Sequence, residues 1–187
     1  MKIYHGTANN NISVFDFRHC KENRDFGKGV YFTTNIDQAN EWSVKHSATG
    51  TVYEYDVDFS DLKARVFSSK LDEDQLYVIY LCRIGIEEIV PDAVDDFDDA
   101  DIVVGFMLDG QIRNFRFIAE QFNQGDISFE EFRDKLKMYD EGKSQICIKS
   151  ARALDLVNNS KRRVYTITKT SGKIFIKETV QNEGITN

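Results

Sequence analysis

The stretch Asp25-Phe26-Gly27-Lys28-Gly29-Val30-Tyr31-Phe32-Thr33-Thr34, continued by Asn35-Ile36-Asp37-Gln38-Ala39-Asn40-Glu41-Trp42, compresses a loop, a strand and a helix into eighteen residues. Two glycines bracket Lys28, and the aromatic and β-branched run Val30 to Thr34 then suits a strand. Thr34 with Asp37 three residues on reads as a capping box, which predicts a helix from about Asn35 to His46. Side chains alternate along a strand, so Val30 and Phe32 are expected to face a core while Tyr31 shares the opposite face with Thr33 and is open to a ligand. On the helix, Ala39 and Trp42 are three apart and lie on one face. Trp42 is the one tryptophan in the chain, and such a residue is usually a core anchor. Opposite Tyr31 it would instead wall a slot one aromatic ring thick, where a flat cationic ring gains roughly 0.5–2 kcal/mol from stacking and cation–π attraction.

Upstream, Ile3-Tyr4-His5 reads as a short first strand with Ile3 and His5 on one face, and Gly6 and Thr7 follow where the chain turns or approaches a ligand closely. An isolated histidine is more often structural than functional; the Gly-Thr that follows shifts His5 toward a ligand role. Residues 8–27 are polar and read as a long functional loop over a pocket, in which Lys21, Arg24 and Lys28 are either a solvated basic set or a group able to neutralise a pyrophosphate.

Downstream, Thr51 to Asp58 alternates as a half-buried strand. Ser69 with Asp72 opens a helix to Cys82 or Arg83 that carries Leu76, Ile79 and Tyr80 inward. The six aspartates between Asp92 and Asp101 lack the ligand alternation and the glycine of a calcium loop and read as a solvated turn. Asp101 to Leu108 suits a central strand. Helices are expected around Gln111–Asn123 and from Phe129 to Leu136, the latter capped by Asp126 or Ser128 and burying Phe129, Phe132 and Leu136. Gln145-Ile146-Cys147-Ile148 is a short late strand, and a brief helix presenting Ala153, Leu156 and Val157 follows it. Arg163–Thr168 and Lys173–Lys177 pair as a hairpin through Ser171-Gly172.

A length of 187 residues with a single proline and no linker composition predicts one domain. The absence of an apolar leader or a long apolar run predicts a soluble, cytoplasmic protein with no membrane association. Cys20, Cys82 and Cys147 are too scattered for a disulfide framework or a zinc site, and no metal is expected. The net charge of −7 is concentrated in residues 51–110, which carry −12, against +1 before and +4 after. Such a balance gives no generic attraction for nucleic acid.

The run Gly27-Lys28-Gly29-Val30-Tyr31-Phe32, with Tyr4-His5-Gly6-Thr7 ahead of it, resembles the nicotinamide-pocket core of the ADP-ribosyltransferases, in the His-Tyr-Glu branch that includes diphtheria toxin and the poly(ADP-ribose) polymerases. Together with Asp101-Ile-Val-Val-Gly105 and Gln145-Ile-Cys-Ile148, the arrangement is similar to a small bacterial and phage-associated family in that superfamily, over most of residues 2–157. The resemblance implies an α+β, ADP-ribosyltransferase-like split β-sheet core with peripheral helices, here about residues 2–157, with a C-terminal hairpin at about 162–178.

It implies NAD as substrate, His5 on a ribose hydroxyl, the Gly6 backbone on the carboxamide, Tyr31 and Trp42 on the two faces of nicotinamide, and Thr7, Arg24 and Lys28 among the binding residues. The family's late-strand glutamate falls at Gln145, a departure that removes a charge; Glu141 or Asp140, a few residues earlier, is the alternative source of that carboxylate. Three activities follow: mono-ADP-ribosylation of a protein, RNA or DNA acceptor, as an intracellular toxin or defence effector with a neutralising partner; NAD hydrolysis; or a weakly catalytic module that only binds NAD or ADP-ribose. Lys161-Arg162-Arg163 and the Lys21, Arg24 and Lys28 set would suit a nucleic-acid acceptor, and the acidic middle third a basic protein.

Overall fold

Alternating and β-branched segments pair into two sheets; the strand expected over Thr51–Asp58 is buried on both faces from Gly50 to Tyr55, not half-buried, because Tyr53 and Tyr55 enter one core while Val52 packs in another beneath a helix. The computed structural model describes residues 1–9, 11–67, 73–84, 97, 99–107, 115–135 and 143–179, which form an α+β structure. The first sheet holds β1 (Lys2–Thr7), β3 (Thr49–Asp56), β7 (Arg162–Thr170) and β8 (Lys173–Thr179) in the order β1-β3-β7-β8, antiparallel throughout. The second holds β2 (Val30–Phe32), β4 (Ala64–Val66), β5 (Ile102–Phe106) and β6 (Ser144–Ile148) in the order β2-β6-β5-β4, with β4 and β5 parallel. Backbone bonds between Tyr4 and Thr33, in both directions, tie the end of β2 to β1 and so join the sheets.

Five helices accompany the strands among the described residues: α1 (Ile36–Ser43), α2 (Glu73–Ile84), α3 (Phe115–Asn123), α4 (Phe129–Lys135) and α5 (Ala151–Asn158). None of them is long and apolar enough to cross a membrane. The expected strands and helices are present among the described residues, and three further local expectations need correction. First, α1 is capped by Asn35, whose Oδ1 accepts from the backbone N–H groups of Asp37 and Gln38 at 2.9 and 3.2 Å, and not by the exposed Thr34. Asparagine is as good a cap as serine or threonine, and the backbone entering from β2 brings it one residue later into position. Second, α1 stops at Ser43 because Val44 leaves helical geometry to bury its side chain. Third, α5 buries Ala153, Leu154 and Val157, while Leu156 is exposed. The choice of Ser128 over Asp126 at α4 is decided by a reciprocal capping box, in which Glu131 N–H donates to the Ser128 hydroxyl and Ser128 N–H donates to the Glu131 carboxylate.

Two cores flank the second sheet. One face carries Val30, Phe32, Ile102, Ile146 and Ile148 into a cluster shared with Ile3, Tyr53 and Tyr55 of the first sheet and with α5. The other face carries Val103 and Cys147 against Phe26, Phe67, α2 and the aromatic residues of α3 and α4, with Tyr31 packed at its margin. A third cluster, Tyr4, Ala39, Val44, Val52 and Ile167, seats α1 on the first sheet. Residues 69, 72, 111, 136 and most of the 92–101 aspartate run lie outside the described residues, as do Asp140 and Glu141.

Candidate functional site

The two sheets meet at β1 and β2, and a cleft of about 630 Å³ opens along that seam. Its floor is built by the strands. His5 comes from β1, Tyr31 from β2 and Gln145 from β6, and the antiparallel register sets Tyr31 opposite Cys147, which shares its face with Gln145 two residues away. Trp42 reaches the same cleft from α1, with Ala39 of the same helix face buried against β1. Gly6 and Thr7 line it at the end of β1. Tyr31 and Trp42 both line the cleft, and among the described residues no ring contact joins them.

His5 has a defined protonation state. Its Nδ1 lies 2.7 Å from the backbone carbonyl of Tyr31, and because a carbonyl only accepts, Nδ1 carries the proton and Nε2 presents a lone pair. Burial holds the imidazole below its ordinary pKa, the Tyr31 carbonyl opposing in part, so the ring stays neutral. Phe15 and Phe32 hold it edge-on at centroid distances of 4.8 and 5.5 Å. A linkage follows. The native ring resists protonation, so stability is full above the unfolded pKa of about 6.5 and declines as pH falls through it. Melting temperatures of the wild type and His5→Gln between pH 7.5 and 5.5 are expected to show a steeper acid decline in the wild type.

Tyr31 is less free than its strand position suggests. Its hydroxyl accepts from Phe26 N–H at 2.9 Å and donates to Gly27 C=O at 2.8 Å, which pins the glycine turn to the strand. Burial pushes its pKa upward, so the phenol does not ionise in the ordinary range. The ring remains on the cleft wall.

The polar loop of residues 8–27 forms the cleft's outer side through Asn9, Ile12, Asp16, His19, Lys21 and Arg24. It is anchored at Phe15, whose ring enters the aromatic cluster of Tyr53, Tyr55 and Phe32. The Asn158 amide holds the Phe15 backbone on both sides, accepting from its N–H and donating to its C=O at 3.0 Å each. Asn158→Ala strands that buried backbone and is expected to cost about 1–3 kcal/mol; urea unfolding and proteolysis within residues 8–27 measure it.

Lys28 is a correction. It is not on the cleft wall, and its ammonium lies 3.9 Å from Glu22, whereas Lys21 and Arg24 do line the cleft. The Lys161-Arg162-Arg163 patch is also largely engaged within the fold. Arg162 donates to the Ile12 and Ser13 carbonyls, and Arg163 pairs with Glu54 at 3.7 Å. Among the described residues no cluster of His, Cys, Asp and Glu could hold a metal ion, and Cys20, Cys82 and Cys147 form no disulfide.

Gln145 is buried, and its Nε2 donates to Asp25 Oδ2 at 2.8 Å and to Phe106 C=O at 3.3 Å. Asp25 is paired on its other oxygen with Arg83 of α2. Asp25 and Arg83 both border the cleft, and the sequence alone does not single them out as site residues. Asp25 opens the glycine stretch, which is the only local signal; nothing in the spacing connects residues 25, 83 and 145.

Residues 1–158 match the model of a family described as protein of unknown function (DUF3990). The chain belongs to that family. The match includes every cleft residue named above and ends at α5, so β7 and β8 lie beyond it. Comparison with curated proteins and with solved structures gives no match.

Proposed function

We propose that this DUF3990 protein is a mono-ADP-ribosyltransferase that takes NAD into the seam between its sheets and passes ADP-ribose to a macromolecular acceptor. The observation that carries the reading is the convergence of His5, Tyr31, Trp42 and Gln145 on one cleft from four separate elements. These are the residues that the resemblance to the His-Tyr-Glu ADP-ribosyltransferases selects. Two four-stranded sheets joined edgewise and flanked by helices suit the split-sheet core of that superfamily.

Nicotinamide sits between the Tyr31 ring and the Trp42 indole, with its carboxamide at the Gly6 backbone. The neutral Nε2 of His5 accepts a ribose hydroxyl, and Lys21 and Arg24 meet the pyrophosphate with charge-assisted hydrogen bonds. In the transfer step the bond between ribose C1′ and the nicotinamide nitrogen breaks and its electron pair leaves with nicotinamide, which becomes neutral. The acceptor's nucleophile bonds to C1′ and gives up its proton. Positive charge develops on the ribose ring between these events, and a site that fixes both leaving group and sugar lowers the barrier by orientation and electrostatics.

The neutral Gln145 in the late-strand position favours a second reading, a module that binds NAD without turning it over. Incubation with NAD labelled in its adenylate half separates the outcomes. Label on protein or nucleic acid of a host extract, with stoichiometric nicotinamide, supports the transferase. Free ADP-ribose supports hydrolysis, and intact bound NAD supports the binding module.

A further inference from the structure

The hydrogen bonds around Gln145 define which end of its amide faces a ligand. Both partners of Nε2, the Asp25 carboxylate and the Phe106 carbonyl, are pure acceptors. The amide therefore cannot turn over without setting oxygen against oxygen on both sides. Phe106 is itself held in place, donating its N–H to Gln75 Oε1 at 2.8 Å and accepting from Gln75 Nε2 at 3.2 Å, and Gln75 is fully buried. Gln145 Oε1 has no hydrogen-bond partner among the described residues, and Gln145 borders the cleft.

Behind the amide stands the Asp25 carboxyl, ion-paired with Arg83. Asp25 is 4% exposed, its Oδ2 takes the Gln145 bond, and its Oδ1 takes both the Nε and the Nη2 of Arg83. The carboxylate thus lies between guanidinium and amide, with its second oxygen turned toward Gln145. Hydrogen bonding from an amide N–H to a buried carboxylate draws electron density toward the carbonyl oxygen, and polarisation of this kind is strong where the dielectric is low.

Resting on the NAD reading above, we propose that Gln145 and Asp25 form one functional unit in place of a late-strand glutamate: Gln145 Oε1 accepts a hydroxyl of the ribose that carries the leaving nicotinamide, and the Asp25 carboxylate, one hydrogen bond behind, orients and polarises that amide. Asp25 is a positioning residue, since it acts through Gln145. The arrangement supplies an acceptor fixed in direction, with negative charge set back from the sugar by one side chain. A glutamate at position 145 would face Asp25 at hydrogen-bond distance and set an oxygen against the Phe106 carbonyl, and two carboxylates sharing a site do not both ionise.

The test is nicotinamide release from NAD by the full chain, measured as kcat and KM for the wild type, Asp25→Asn, Gln145→Glu and the exchange variant Asp25→Asn/Gln145→Glu, with melting temperatures of each. Asp25→Asn removes the charge and leaves one oxygen for two sets of donors, so that keeping the Gln145 bond sets the introduced NH2 against Arg83; this variant is expected to lower kcat by about tenfold or more with KM changed less than about threefold. Gln145→Glu is expected to lose activity, and the exchange variant, with a single carboxylate again in the pair but no donor for the Phe106 carbonyl, is expected to recover at least about tenfold over Gln145→Glu without reaching the wild-type kcat. If Asp25→Asn fails to fold because Arg83 loses its carboxylate, Asp25→Asn/Arg83→Gln removes both charges together and is expected to show the same kcat loss. Unchanged kcat in the folded Asp25 variants, or a Gln145→Glu protein at least as active as the exchange variant, overturns the pair while leaving the NAD reading intact. A wild-type protein that binds no NAD and releases no nicotinamide overturns both.

Discussion

Replacing Tyr31 with alanine is expected to abolish measurable NAD binding by calorimetry. Two losses combine in that variant. The ring proposed as one wall of the nicotinamide slot disappears, removing roughly 0.5–2 kcal/mol of stacking and cation–π attraction. The hydroxyl that holds Phe26 N–H and Gly27 C=O disappears with it, so the glycine turn and the neighbouring Asp25 are no longer fixed. Tyr31→Phe separates the two. It keeps the wall and forfeits the turn anchors, at an expected stability cost of about 1–3 kcal/mol, with affinity reduced by less than about tenfold. Normal affinity in Tyr31→Ala would mean that the nicotinamide pocket lies elsewhere.

Gly6→Ala is the second large effect, and it acts through the backbone. A β-carbon on Gly6 would stand 1.9 Å from the carbonyl oxygen of Ala39 and 2.8 Å from its carbon, distances at which helix and strand must move apart. Neither contact is the tip of a flexible side chain, so no rotamer change relieves it. Overpacking in a well-packed site costs about 1–3 kcal/mol and more where backbone is displaced, and a loss at or above the top of that range is expected in thermal or urea unfolding. Because α1 carries Trp42, lifting it from β1 also shifts one wall of the slot, and NAD affinity is expected to fall even at temperatures where the variant is folded. A Gly6→Ala protein with wild-type stability would show that α1 does not sit against β1 as described.

The central part of the site is legible in the sequence because its chemistry is local. The strand period predicts that Val30 and Phe32 share one face and Tyr31 the other, though not that a second core covers part of the Tyr31 face, and the interval from Tyr31 to Trp42 joins a strand to the helix after it without any long-range pairing. The helix cap falls one residue later than the capping-box pattern predicts because Thr34 and Asn35 are both competent caps, and only the path of the chain out of β2 decides between them. Leu154 is the buried leucine of α5 where the pattern points to Leu156: in an eight-residue helix an apolar pair two apart gives no unambiguous face. Charge alone groups Lys28 with Lys21 and Arg24, but the glycines on either side of it set a direction that composition does not reveal. The Asp25, Arg83 and Gln145 group is illegible for a different reason. Arg83 and Gln145 stand 58 and 120 positions from Asp25, and buried polar contacts at such separations leave no periodicity to read.

The most direct measurement uses the protein's single tryptophan as its own probe, since Trp42 lines the cleft from α1. Titration of NAD against intrinsic fluorescence is expected to give saturable quenching of Trp42, reversed by excess free nicotinamide and lost in Tyr31→Ala. NAD binding detected by calorimetry with Trp42 emission unchanged, or the absence of any binding to the wild-type chain, would contradict a nicotinamide slot between Tyr31 and Trp42.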